Sequence, residues 1–78
     1  MSYCRHGSNG GKSDVYCIQH IWGEYITYLK YDKPYKGIRT FYDSDLDGFL
    51  ETLNCLKEAN YNVPYSAIER VENEIENE

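Results

Sequence analysis

The sequence has no apolar stretch that approaches the roughly 20 residues needed for a membrane-spanning helix. Residues 1–5 also lack the apolar run of a secretory signal. The three cysteines, Cys4, Cys17 and Cys55, are odd in number and cannot complete a disulfide framework. We therefore expect a soluble, cytoplasmic protein with reduced thiols and no membrane association.

Groups suited to catalysis are equally few. One histidine, His6, falls in a glycine-rich loop, and the other, His20, lies near a predicted turn. Neither is accompanied by a recognisable nucleophile, and no pair of carboxylates marks a pocket. A chain of 78 residues forms a single domain, residues 1–78, with little room for an enclosed cleft. We expect no enzymatic activity, no catalytic residues and no cofactor.

What the chain does have is an uneven distribution of charge. Residues 1–42 hold six basic and three acidic side chains, a net charge of +3. Residues 43–78 hold two basic and ten acidic side chains, a net charge of −8. Most of the nine tyrosines lie in the first half. A small molecule with one strongly acidic side is suited to binding a basic surface.

Residue periodicity predicts an α+β fold that begins with a small antiparallel sheet. Residues 6–13 contain three glycines and two serines, which predicts a flexible loop. Alternating β-branched and aromatic residues predict strands over about 14–21 and 24–31, joined by a turn at Trp22-Gly23. A third strand is expected over about 38–42. The predicted sheet therefore has two or three strands.

After the predicted strands, the spacing of apolar residues along the sequence becomes typical of helices. Apolar residues three and four positions apart predict helices over about 45–59 and 64–76. Ser44 or Asp45 is suited to cap the first helix, and Asn60 is suited to end it in a left-handed conformation. The proline that opens the second range fits a first helical turn, where its missing N–H is not needed. The two helices are expected to cover one face of the sheet.

One segment begins like a calcium-binding loop. Asp43, Asp45 and Asp47 stand two residues apart, and Gly48 follows where such a loop makes a sharp turn. The twelfth position, however, is Asn54 and not the glutamate that binds the ion with both oxygens. We favour an acidic helix start, and whether the three aspartates hold a cation stays open at this point.

Two further motifs have simpler interpretations. Residues 7–13 look like a phosphate-binding loop, but a strand is predicted to follow where the helix should begin. The four zinc-type ligands Cys4, His6, Cys17 and His20 have spacings that fit no common zinc signature. Cys17 is more simply a small core residue. We predict no metal site.

The expected contact surface combines acidic helix faces with exposed tyrosines. Three carboxylates share one face of the first predicted helix, and three lie along an edge of the second. Such rows can imitate the phosphates of a nucleic acid, although a merely solvated acidic face is the commoner outcome. Tyrosine is enriched where proteins recognise other proteins. The expected partner-binding residues are Asp47, Glu51, Glu58, Glu69, Glu72, Glu76, Tyr28 and Tyr31.

Several segments carry a resemblance to one family: Met1-Ser2-Tyr3-Cys4-Arg5, Asp14-Val15-Tyr16, the helix to Leu53 and Leu56, Asn60-Tyr61-Asn62-Val63-Pro64 and Ala67-Ile68-Glu69-Arg70. Through them the chain resembles short, largely uncharacterised proteins carried by bacteriophages and other mobile elements. The resemblance leaves out residues 32–45. It implies the hairpin and the two helices, and it transfers no catalytic residues.

This resemblance implies a genetic context and, through it, candidate functions. Small acidic phage proteins often antagonise host defence, and many anti-CRISPR proteins are acidic domains of this size. We expect a non-enzymatic inhibitor, in the cytoplasm of the host bacterium, that binds a nucleic-acid-handling complex such as a CRISPR effector. Direct binding to nucleic acid is not expected, because the net charge is −5.

Two alternatives belong to other classes. The chain could bind or sequester a small, nucleotide-type ligand between loop 7–13 and Tyr, Arg or Lys side chains, with a homodimer completing the pocket. It could also be a structural or regulatory phage protein without a role in defence.

Overall fold

A four-stranded antiparallel sheet and two helices form the structure, a computed structural model that describes residues 2–7 and 12–77. The strands are β1 (Ser2–Cys4), β2 (Val15–Gln19), β3 (Tyr25–Leu29) and β4 (Thr40–Asp43), and they lie side by side in chain order. The helices are α1 (Leu46–Glu58) and α2 (Tyr65–Glu76). Helix α1 packs on α2 and on β3 and β4, whereas α2 reaches β1. Both helices therefore cover the same face of the sheet.

The α+β class is confirmed, and the number of strands is corrected. The sequence predicts two or three strands at 14–21, 24–31 and 38–42, and these correspond to β2, β3 and β4. Strand β1 was not predicted, because three residues are too few to show an alternation. The helices begin and end within one residue of the predicted 45–59 and 64–76. The spacing of their apolar residues is therefore enough to locate both helices in the sequence.

The predicted flexible loop 6–13 connects β1 to β2, and its residues 8–11 lie outside the described residues. Its last residue, Ser13, is buried, and the Ser13 hydroxyl donates to the carbonyl oxygen of Val15 at 2.8 Å. The end of the loop is thus attached to the start of β2.

The β2–β3 hairpin divides its side chains between two faces, as a period of two requires. Val15 and Cys17 face the helices and are fully buried, together with Thr27 of β3. On the outer face Tyr16 pairs with Tyr28, and their rings meet edge to face at 5.9 Å between centroids. Within the described residues no helix covers this outer face, and Tyr28 is partly exposed there.

A β-bulge in β1 changes which of its residues face the core. Ser2 pairs with Ile18 and Cys4 pairs with Cys17, so Tyr3 is an extra residue between the two pairs. A regular strand would send Tyr3 and Cys4 to opposite faces, whereas here both are buried. Tyr3 then packs its ring edge to face on Phe49 of α1 at 5.2 Å. The bulge therefore docks the edge strand on the helical layer.

Both ends of helix α1 are capped by residues that the sequence predicts for these positions. Asp45, and not Ser44, caps α1, because its Oδ1 accepts from the amide of Gly48 at 2.7 Å. Asn60 takes the left-handed conformation (φ 71°), and the amide of Tyr61 then donates back to the carbonyl of Leu56 at 3.0 Å. Helix α2 begins immediately after the proline expected at its start.

The carboxylate of Asp14 connects three separated segments of the chain. It is almost fully buried, and Oδ2 accepts from the amide of Asn62 at 2.8 Å in the α1–α2 connection. Lys33 Nζ lies 3.3 Å from Oδ2, and Lys30 Nζ lies 3.6 Å from Oδ1. The Asp14 amide also donates to the Asn62 carbonyl at 2.9 Å. Asp14 thus joins β2, the segment after β3 and the link between the helices.

Burial alone would raise the pKa of Asp14. The Asn62 amide and the ammonium groups of Lys33 and Lys30 outweigh it, so the pKa lies below its ordinary value. A depressed folded-state pKa means that the ionised carboxylate stabilises the fold above the unfolded-state pKa of ~3.9. This contribution is lost as the pH falls through the lower, folded-state value.

We predict that Asp14→Ala lowers the free energy of unfolding by about 1–3 kcal/mol, because the Asn62 amide is left without its acceptor. Urea unfolding at neutral pH measures the loss. The matched control is Asp32→Ala, which removes an exposed carboxylate from the neighbouring turn. In acid the difference between wild type and Asp14→Ala should shrink. Equal stability of the two variants at neutral pH would contradict this role of Asp14.

Candidate functional site

An acidic surface covers the solvent side of helix α1. Asp47, Glu51 and Glu58 are all exposed, whereas Phe49 and Leu53 on the opposite side of the helix are fully buried. The helical repeat of 3.6 residues accounts for this division. The three carboxylates therefore share one face, as the sequence predicts.

Helix α2 extends the acidic surface. Glu69, Glu72 and Glu76 are exposed, and α2 packs directly beside α1. Glu74 is turned the other way, toward β1, where it accepts a hydrogen bond from the Tyr3 hydroxyl. Burial and this contact with Glu74 raise the pKa of Tyr3. We call the six exposed carboxylates the acidic face: Asp47, Glu51, Glu58, Glu69, Glu72 and Glu76.

Neither basic residue of the helices forms an ion pair with the acidic face. Arg70 points toward β1, where its Nη1 donates to the Ser2 carbonyl at 3.1 Å and its guanidinium lies over the Tyr3 ring. Lys57 Nζ lies over the ring of Tyr65, 5.7 Å from its centroid. Within residues 2–7 and 12–77, both salt bridges are made by Asp14. The acidic face therefore keeps its charge uncompensated by neighbouring bases.

The expected tyrosines lie away from the acidic face. Tyr28 stands on the outer face of the sheet, on the side opposite the helices, beside Tyr16. Tyr31 follows β3 and is 84% exposed, with the guanidinium of Arg39 4.7 Å from its ring centroid. Tyr28 thus lies on the side of the sheet opposite the acidic face, and one flat partner cannot contact both.

The aspartates of the calcium-like segment have structural partners. Asp45 caps α1, and Asp43 Oδ2 accepts from the Thr52 hydroxyl at 2.9 Å. Gly48 lies inside the first turn of the helix, and an added Cβ would come within 3.1 Å of Asp45 Oδ1. Among the described residues, no group of three or more His, Cys, Asp or Glu side chains is arranged to hold a metal ion. Helix α1 therefore begins inside the calcium-like segment, directly after its cap Asp45.

The four zinc-type residues of the sequence are brought together only in part. Cys4 and Cys17 meet in the core, with 3.4 Å between their sulfur atoms. His6 instead lies near the Tyr16 ring on the outer face of the sheet, and His20 lies at the hairpin turn beside Trp22. Of the phosphate-loop motif, residues 8–11 fall outside the described part, and strand β2 follows as predicted.

Two cavities of opposite character flank helix α1. One, of about 340 Å³, lies between Tyr35, Phe41 and the helix, and it contains the carboxylates of Asp43 and Glu51. Burial first, and then the neighbouring acidic groups, raise the pKa of Asp43. The other, of about 220 Å³, is lined by residues that include Lys12 and Lys57. Only the second has the charge that an anionic ligand requires.

Comparisons with protein-family profiles, with curated proteins and with solved structures give no match. No helix in the described part of the chain is long and apolar enough to cross a bilayer. The function therefore has to be argued from the surfaces themselves.

We predict that Asp45→Ala lowers the free energy of unfolding by about 1 kcal/mol, because the Gly48 amide loses its cap. Asp47→Ala, two residues further along the chain, should have a smaller effect. Asp47 is exposed and contributes only through its interaction with the helix dipole. Thermal unfolding of both variants and of wild type is measured with and without millimolar calcium. A calcium-dependent stabilisation of wild type that both variants abolish would support the metal-site interpretation.

Proposed function

We propose that this protein is a non-enzymatic inhibitor whose acidic face occupies a basic, nucleic-acid-binding surface of a host defence complex, such as a CRISPR effector. The observation that carries the proposal is the set of six exposed carboxylates on two adjacent helices, without an ion pair to a base in the described residues. The phage-type resemblance of the chain supplies the biological setting.

The spacing of the carboxylates supports imitation of a phosphate backbone. Glu69 and Glu76 are separated by about 10 Å along α2, at a rise of about 1.5 Å per residue. With Glu72 between them, a negative charge occurs about every 5 Å, compared with about 3.4 Å along one strand of DNA. The carboxylates of the adjacent α1 raise the local charge density further. A groove lined with Lys and Arg could therefore bind these carboxylates in place of the phosphates of a nucleic acid.

The packing beneath the acidic face favours a preformed surface. Phe49, Leu53 and Val71 are fully buried between the helices and the sheet. The helix backbones that carry the carboxylates are therefore held by the core, and binding requires the ordering of side chains only. Less conformational entropy is lost on association with a preformed surface than with a segment that folds on binding.

Charge reversal on α2 tests the proposal. We predict that Glu69→Lys with Glu72→Lys weakens capture of a partner from lysate of a bacterium with several defence systems by roughly tenfold or more, because like charges then face each other. Capture by wild type should also fall as salt rises. Quantitative mass spectrometry of the retained proteins gives both results.

The matched control is Glu24→Lys with Asp32→Lys, which reverses two exposed charges outside the helices and produces the same net charge. This control should retain the partner, and circular dichroism should show that both variants are folded. Equal loss of the partner in both variants would mean that only net charge matters. Unchanged capture by the α2 variant would exclude the acidic face.

A second function is favoured by one specific observation. The cavity of about 220 Å³ lies at the end of the glycine-rich loop, where Lys12 and Ser13 meet Lys57 and Tyr61. Its two lining lysines and its position match the small-ligand alternative, in which the chain binds or sequesters an anionic, nucleotide-type molecule. Native mass spectrometry against a nucleotide panel tests it, and Lys12→Glu should abolish any complex. Absence of binding throughout the panel would remove this candidate.

A further inference from the structure

The two buried cysteines form a pair that the β1 bulge creates. Cys4 and Cys17 are directly opposite each other on adjacent antiparallel strands, and their sulfur atoms are 3.4 Å apart. Opposed residues of such strands have Cα atoms about 4.5–5.5 Å apart, which is within the range that a disulfide spans. If β1 continued the register of Ser2 without a bulge, Tyr3 would stand opposite Cys17, and Cys4 would stand opposite Tyr16 on the other face.

The two thiols differ in their surroundings. Cys4 lies on the edge strand and is 7% exposed, whereas Cys17 is completely buried. The contact with the Cys17 thiol lowers the pKa of Cys4, against the effect of burial. The same contact, together with burial, raises the pKa of Cys17. Cys4 is therefore the more nucleophilic thiol and the one nearer to solvent.

We propose that Cys4 and Cys17 form an intramolecular disulfide when the protein meets a small disulfide oxidant such as glutathione disulfide. The Cys4 thiolate attacks one sulfur of the oxidant, breaks its S–S bond and releases one glutathione, which takes up the proton that Cys4 has lost. The Cys17 thiol then gives up its proton, attacks the Cys4 sulfur and releases the second glutathione. Two thiols are oxidised and one disulfide is reduced to two thiols.

The disulfide would fasten β1 to β2 and close the segment 4–17 into a covalent loop. This segment contains the glycine-rich residues, whose freedom in the unfolded chain is large, so the crosslink should stabilise the fold. Strand β1 also packs on helix α2. Oxidation would therefore restrain an edge strand of three residues more firmly.

The test treats the full-length, folded protein with glutathione disulfide and maps its cysteines by mass spectrometry after alkylation. We expect loss of two hydrogen atoms, a Cys4–Cys17 crosslinked peptide, and a higher denaturant midpoint for the oxidised protein. Cys55→Ser should form the same Cys4–Cys17 crosslink as wild type, because Cys55 has no part in the contact between the two core sulfur atoms. Cys4→Ser and Cys17→Ser should form no internal disulfide.

The mapping of the wild-type protein decides the matter even if a core variant fails to fold. A stable glutathione adduct on Cys4 with Cys17 still reduced would overturn the proposal, as would full alkylation of both thiols after exposure to the oxidant. A disulfide that links Cys55 to either core cysteine would overturn it as well.

Discussion

The arrangement of the two layers depends on one buried charge, the carboxylate of Asp14. Taking a carboxylate out of water is unfavourable unless opposite charges and hydrogen bonds replace the lost hydration. Here the Asn62 amide and two lysine ammonium groups, those of Lys30 and Lys33, supply them. Because these groups come from the α1–α2 connection and from the segment after β3, the carboxylate is satisfied only when helices and sheet are correctly assembled. The orientation of the acidic face relative to the sheet follows from that assembly.

The layered fold separates two kinds of surface. The helical layer presents uncompensated carboxylates, while the outer face of the sheet presents tyrosines such as Tyr16 and Tyr28. A partner that binds by charge and one that binds by aromatic contact would thus meet opposite sides of the molecule. This geometry gives the acidic face and the tyrosines independent tests, although the sequence analysis combines them in one expected contact surface.

The parts of this fold that could be predicted from the sequence are those that depend on neighbours a few residues away. The periods of α1 and α2, the cap at Asp45 and the left-handed end at Asn60 are local signals, and so is the exposure of the acidic carboxylates. Strand β1 and its bulge were not predicted, because they form only through pairing with β2, which no local pattern shows. The role of Asp14 was missed for the same reason: Asn62 is 48 residues away, and no local pattern joins the two. The Cys4–Cys17 contact likewise depends on register.

The central claim, that the acidic face substitutes for a nucleic acid, is tested most directly by competition. Once a captured partner is identified, its affinity for its own nucleic acid is measured at increasing concentrations of this protein. Direct competition predicts that the apparent dissociation constant for the nucleic acid rises in proportion to the concentration of the inhibitor and that the two are never bound together. A ternary complex with unchanged nucleic-acid affinity would contradict the account.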